Sequence, residues 1–275
     1  KDLDVKNRDK HSCVKCIECK EIIPLQQSCP KCSSNKLSKI TLSCDDCIIA
    51  AKDQVKRLNE ILIHDFGIET NNIQVFFSGN EGFHIYVNNS DYQEVGAKER
   101  AEIVDYMMFR GIIPETFGFN KYNSGKVSLP DFEQSGWHGR LSKTLYGSKS
   151  KRPQISKKII SSGYTTFQKQ LESAKDQIGV RVDPNVTVDI HRIFRLPGSL
   201  NSKSGLAKIL VNDIDKFNPY FDACLLDSDT TEVVANCPIQ FSLKNKKYGP
   251  YNQETISVPK FTAVYMICKG VANHT

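Results

Sequence analysis

Residues 183–206 read DPNVTVDIHRIFRLPGSLNSKSGL. One carboxylate, Asp183, stands ahead of the cations Arg192, Arg195 and Lys203, and a turn of Pro197, Gly198 and Ser199 interrupts them. Acid and base this close suit a place where a divalent ion meets a phosphate chain, because each needs the opposite charge. Ile190, Ile193 and Phe194 follow Thr187 at helical spacing, with Thr187 as a plausible N-cap. The stretch therefore predicts a basic helix on which Arg192 and Arg195, three residues apart, share a face.

Two other stretches complement this one. Asp2-Leu3-Asp4 lies in the extended segment KDLDVKN. In a strand both carboxylates point to one face about 7 Å apart, which suits joint coordination of divalent cations; taken alone, a D-x-D is a common accident of a solvated terminus. The second stretch is FFSGNEGFHIYV, residues 76–87. It predicts strands over 73–77 and 83–87 around the turn Ser78-Gly79-Asn80-Glu81-Gly82. A glycine-bearing connection lets backbone N–H groups approach a phosphate, and His84 can donate to the same anion. A lone histidine in a strand is otherwise a structural residue.

Of ten cysteines, seven fall between Cys13 and Cys47, mostly as C-x-x-C pairs. That is metal spacing in a reducing compartment, not a disulfide framework. With His11 there are eight candidate ligands, enough for two tetrahedral zinc sites. The simplest partition joins Cys16 and Cys19 to Cys29 and Cys32 in a ribbon-like all-thiolate site. His11 and Cys13 then join Cys44 and Cys47 in the second. Closed tetrahedral shells leave no open position, so both sites are expected to be structural. Cys224, Cys237 and Cys268 sit among apolar neighbours and read as buried thiols.

At 275 residues, with 39% hydrophobic and 9% aromatic content, the chain can bury a full core. No apolar run is long enough to span a bilayer, so no membrane role is expected. The net charge of +6 mildly favours polyanionic partners. Between Gly139 and Lys158 there are seven Lys or Arg and no acid. A solvated loop and a surface tracking a nucleic-acid backbone are level readings of that run. Helices are expected over 45–66, 98–110 and 167–178, with strands and a terminal helix in the last seventy residues. Residues 115–163 give few regular signals; Trp137, within SGWHGR, reads as a packing residue ahead of a base-stacking one.

Taken in order, these motifs resemble the small catalytic subunit of archaeal and eukaryotic DNA primase. The residues that carry the resemblance are Asp2-Leu3-Asp4, the cysteines after it, Cys44-Asp45-Asp46-Cys47, and Ser78-Gly79-x-x-Gly82-x-His84. Gly136-Trp137-x-Gly139-Arg140, Asp183 and Leu196-Pro197-Gly198-Ser199-Leu200 with Lys203-x-Gly205 complete the set. It covers nearly the whole chain. The resemblance implies an α+β fold, an α/β body of the primase catalytic type whose two β-sheet parts flank the active-site cleft, plus an inserted zinc-binding module. Residues 1–10 would then end the strand carrying the D-x-D, 11–47 would be the zinc module, and 48–275 the remainder of the catalytic domain. About a hundred residues of the usual subunit are expected ahead of Lys1.

Carried over by position, Asp2, Asp4 and Asp183 would hold two Mg²⁺ or Mn²⁺ ions for nucleotidyl transfer, with Asp189 as the fallback for Asp183. Ser78, Gly79, His84, Arg192, Arg195, Asn201 and Lys203 would bind the nucleoside triphosphate. The expected partners are single-stranded DNA template, nucleoside triphosphates and a primase large subunit. The expected location is cytoplasmic in an archaeon and nuclear in a eukaryote. Two departures stand out: Asn80 and Glu81 occupy positions often basic in the family, and Asn201 stands where a histidine is usual. Two alternatives stand beside this reading: a primase-polymerase of a plasmid, repair or defence system, and, motivated by Glu81 and Asn201, a non-catalytic zinc-ribbon nucleic-acid binder. The ribbon Cys16–Cys32 also exceeds the single zinc site expected of the family.

Overall fold

A computed structural model describes residues 11–120 and 126–275. The aspartates Asp2 and Asp4 lie outside the described residues. In chain order the elements are β1 (Ser12–Cys16), β2 (Ile22–Pro24), β3 (Leu37–Thr41), α1 (Asp45–His64), β4 (Ile73–Phe77), β5 (Phe83–Val87), α2 (Ser90–Gln93) and α3 (Ala97–Met107). They continue with α4 (Gly136–Tyr146), α5 (Arg152–Ile178), α6 (Pro184–Val188), β6 (Ile209–Leu210), α7 (Pro219–Asp222), β7 (Thr230–Cys237), β8 (Phe241–Leu243) and β9 (Lys246–Tyr248). The last are β10 (Tyr251–Pro259), α8 (Lys260–Lys269) and β11 (Ala272–His274). Helices and several small sheets in one chain make the fold α+β. No helix among the described residues is long and apolar enough to cross a membrane.

The described residues divide into two compact units, one of residues 54–73, 87–120 and 126–192, the other of residues 11–53, 74–86 and 193–275. The 11–47 module is thus part of a larger unit, and 48–275 contributes to both.

The first unit is mainly helical. Its core gathers Phe109, Phe117, Phe119, Leu141, Tyr146, Ile159, Phe167 and Leu171, with Phe119 stacked on Phe167 at 4.7 Å. Each such side chain contributes roughly 1.5–3 kcal/mol by leaving water. α4 and the first part of α5 lie in the 115–163 stretch that had few signals. Glycines weaken the helical pattern of α4, yet Gly139 is required there: a Cβ would sit 2.2 Å from the Gln134 carbonyl oxygen. In α5, Gly163 at φ +76° breaks the helix inside what would otherwise be one run.

In the second unit β7 is central, paired antiparallel to β10 and β11. Val233, Ala235 and Cys237 alternate into the core, and α8, with Phe261, Tyr265 and Met266 buried, packs on this sheet. A second sheet has the order β5-β4-β6, and the antiparallel sheet β2-β1-β3 carries the first cysteines.

The basic helix expected after Thr187 is not formed. Asp183 caps α6 by accepting from the Asn185 N–H at 3.2 Å, and Pro184 opens the helix. The helix stops at Val188, and Asp189 folds back to accept from the His191 N–H at 3.0 Å. Asp, Asn and Ser side chains that bond nearby backbone compete with helix in this way. Arg192 and Arg195 therefore do not share a helical face, and the division between the two units falls between them.

Candidate active site and metal centres

The loop Ser78–Gly82 between β4 and β5 is drawn tight by a hydrogen bond from the Ser78 N–H to the Gly82 carbonyl at 2.8 Å. The Ser78 hydroxyl oxygen accepts from the N–H groups of Asn80 and Gly82, both at 3.4 Å. Gly79 sits at φ +87°, and a Cβ there would meet the Leu206 carbonyl oxygen at 2.9 Å. This glycine answers both a left-handed backbone and a close approach to a second loop.

That second loop is the chain returning from Gly198 to Lys208, closed by the Leu200–Ala207 bridge, by the Lys208 N–H donating to the Ser199 carbonyl at 3.0 Å and by the Asn201 N–H donating to the Leu206 carbonyl at 2.8 Å. Asn201 Nδ2 donates to the Ser78 carbonyl at 3.3 Å, and Asn201 Oδ1 accepts from the Lys203 N–H at 2.9 Å. The Ser204 hydroxyl donates to the Gly79 carbonyl. The buried Asn201 amide thus braces two loops together, a task that spacing did not reveal. Arg195 donates from Nη1 to the Leu200 carbonyl at 2.8 Å, while Lys203 stays exposed at the rim.

His84 and Tyr86 alternate onto one face of β5, where Phe194 packs edge-on to both rings at 5.7 and 5.4 Å. Beneath them lies Lys208, fully buried, donating to Tyr86 Oη at 2.6 Å and to the Arg195 carbonyl at 2.8 Å. Its ammonium stands 5.0 and 4.7 Å from the Phe76 and Tyr86 ring centroids. Aromatic faces favour a cation held out of water, so the rings and the Tyr86 and Arg195 oxygens together compensate the buried charge. Its signal in the sequence, one lysine inside the apolar run Leu206–Leu210, is easily passed over.

Ser78, Gly79, Asn201 and Lys203 thus lie on one connected pair of loops, with Arg195 tied to the second loop and His84 on the adjoining β5. Asp183 and Arg192 belong to the other unit. Asp183 is half-buried, with a capping role already described.

The first cysteine cluster matches the expected partition. Ligand atoms of Cys16, Cys19, Cys29 and Cys32 all lie within 4.8 Å of one another. The two knuckles repeat one pattern: the Cys16 N–H donates to the Glu21 carbonyl and the Cys29 N–H to the Ser34 carbonyl, both at 2.9 Å. Each then turns through a left-handed residue, Lys20 at φ 63° and Ser33 at φ 57°. Backbone N–H donation from Cys19 holds the Cys16 thiol down to about 7, which favours a metal-binding thiolate.

The second cluster unites His11, Cys44 and Cys47, with the Cys47 sulfur 3.3 Å from His11 Nε2. Cys13, expected as its fourth member, is not in it. It is wholly buried in β1, and burial together with the neighbouring Cys237 pushes its thiol up to about 12. Among the described residues no fourth His, Cys, Asp or Glu completes this cluster. Cys224 and Cys237 are buried as expected, whereas Cys268 is partly exposed.

The SGWHGR motif is structural. Trp137 packs edge-on against Phe109 and Phe117 at 5.9 and 6.0 Å, and Arg140 pairs with the buried Asp65 at 2.5 Å. Tyr106 donates to the same Asp65 oxygen at 2.8 Å. Of the seven cations in 139–158, Arg140, Lys149 and Arg152 pair with Asp65, Glu133 and Asp131.

Residues 27–213, more than half of the chain, match the family model described as DNA primase small subunit. A DNA primase small subunit of Nitrosopumilus maritimus is 54% identical over 99% of this chain and 73% of its own length. One of Cenarchaeum symbiosum is 41% identical over the same shares. One of Archaeoglobus fulgidus is 30% identical over 82% of this chain and 65% of its own length. With identities this high across nearly all of its residues, the chain belongs to the DNA primase small subunit family, in its archaeal form.

Proposed function

We propose that this primase subunit synthesises short RNA primers, with DNA as a further possible product, on single-stranded DNA by two-metal nucleotidyl transfer. The observation that carries the reading is the braced double loop, in which Asn201 and Ser204 lock the glycine turn at Ser78–Gly82 beside Arg195 and Lys203. Two such loops give a triphosphate preorganised donors and cations, which need no rearrangement when charge develops. Ser78 retains its hydroxyl proton to donate, Lys203 offers a mobile ammonium, and Arg195 is fixed by Leu200 and Lys208. His84, oriented by Phe194, adds an imidazole on the same strand system. Gly79 lets backbone approach the phosphates.

The proposed ligands of the catalytic Mg²⁺ or Mn²⁺ ions are Asp2, Asp4 and Asp183, hard carboxylates suited to hard cations. When bound, such ions activate the primer 3′-hydroxyl and stabilise the leaving pyrophosphate. Zinc fits the two soft clusters, four thiolates in one and His11, Cys44 and Cys47 in the other, and the closed four-thiolate shell would act structurally. The primase catalytic fold, with two β-sheet parts about a cleft, is proposed from family membership and the α+β character. Heterodimerisation with a large subunit, and a place inside the cell beside DNA, are proposed on the same ground. Family membership favours neither the primase-polymerase nor the non-catalytic alternative.

Asp183→Asn is the discriminating test, because Asn caps a helix as well as Asp does but carries no charge. Primer synthesis should fall by about 10³-fold, the order for removing a group that stabilises transition-state charge. The melting temperature should stay unchanged. Full activity in Asp183→Asn would leave this residue a cap and nothing more.

A further inference from the structure

Glu81 places a negative charge in the very turn that the proposed function assigns to a triphosphate. The structure supplies its counterpart from the far end of the sequence. Lys269, the last residue of α8, donates to Asn80 Oδ1 at 3.1 Å and lies 3.7 Å from Glu81 Oε1. The Lys269 side chain is only 9% exposed, against 45% for Glu81. It also stands 5.7 Å from the Tyr265 ring centroid.

Its position is strongly determined. Gly270 ends α8 in the left-handed conformation, and a cation in the last helical turn meets the negative end of the helix dipole. The same helix abuts the second loop of the cradle: a Cβ on Gly205 would sit 2.7 Å from Val264 Cγ1. One element therefore supports both loops. Burial works against the Lys269 charge and Glu81 supports it, while the positive charge of Lys203 is near enough to oppose it. Three charged groups, Glu81, Lys269 and Lys203, thus share one field.

We propose that Lys269 is a positioning residue for nucleotide binding: it neutralises Glu81 and tethers Asn80, so that the Ser78–Gly82 turn can receive a triphosphate. This rests on the reading of that turn as the triphosphate site. Without Lys269, Glu81 would lose this counter-charge beside the phosphates, and the turn would lose its tie to α8. The acid and amide in this turn are then one half of a charge arrangement whose other half lies near residue 270.

Primer synthesis by the full-length protein, with Mg²⁺ or Mn²⁺, single-stranded template and titrated ATP, separates the possibilities. Lys269→Met should raise KM for ATP about tenfold, with kcat changed much less, as expected for lost ground-state binding. Adding Glu81→Gln to Lys269→Met should restore most of that loss, because the acid that Lys269 balances is gone as well. A purely structural lysine would not be rescued by removing its partner, so a double variant no better than Lys269→Met overturns the proposal. So does an unchanged KM in Lys269→Met. Glu81→Gln alone keeps the buried lysine and should lower KM two- to threefold; a rise in KM there overturns the proposal even where Lys269→Met does not fold. Wild-type protein that incorporates no nucleotide would instead sink the triphosphate reading itself.

Discussion

A buried carboxylate is costly to strand, and Asp65 has two partners, the Arg140 guanidinium at 2.5 Å and the Tyr106 hydroxyl at 2.8 Å. Arg140→Met should destabilise the protein by roughly 3 kcal/mol, the low end for breaking a buried pair, since the Arg140 side chain keeps 27% exposure. In a chain of this size that lowers the melting temperature by roughly 6–12 °C, readable by calorimetry. KM for nucleotide should not move, because the pair belongs to the packing of the first unit. The SGWHGR motif shows what a residue pattern conveys and what it hides. A tryptophan beside an arginine reads equally as a stacking platform or as a packed pair, and Asp65, 75 residues away in sequence, decides between them. Asn201 is a similar case. Its amide was legible as a donor, but its actual partners, the Ser78 carbonyl and the Lys203 N–H, depend on two loops meeting.

Elements with strong local signals were legible to within a few residues. The strands expected over 73–77 and 83–87 match β4 and β5, since alternating apolar residues and a glycine turn suffice to define them. The helix expected after Thr187 failed because Asp183 and Asp189 bond nearby backbone and close off a short α6 at both ends. In the metal module, spacing identified the ribbon cluster but not the fate of Cys13, because C-x-x-C geometry is local and burial against Cys237 is not. Metal content tests this directly. Wild-type protein should carry about two zinc ions per chain, Cys13→Ser should keep both, and Cys44→Ser or Cys16→Ser should each lose one. The apolar cluster around the ribbon is small, built on Val14, Ile23 and partly buried Leu37. Cys16→Ser should therefore also expose β1–β3 to rapid amide exchange, as expected of a metal-dependent module.

At the scale of the whole molecule, the charge of +6 fits a polyanionic template, but its distribution is less basic than the sequence suggests. Within 139–158, three of seven cations are held by carboxylates of the same unit. Lys143, Lys151, Lys157 and Lys158 remain exposed on or beside α4 and α5. The run itself was legible; its partial neutralisation was not, because Asp131 and Glu133 are contributed by the segment just before α4 and Asp65 by a residue far earlier. Each cation that contacts a single-stranded backbone releases counterions, so log affinity falls with log salt by about 0.7 per phosphate neutralised. Changing the four exposed lysines together to glutamine should therefore lower the magnitude of that slope by about 1 to 3, with little change in nucleotide KM. Fluorescence anisotropy of a labelled single strand, titrated at several salt concentrations, reads the slope. A slope equal to wild type would make these four lysines a solvated face and move template binding to other cations of the chain.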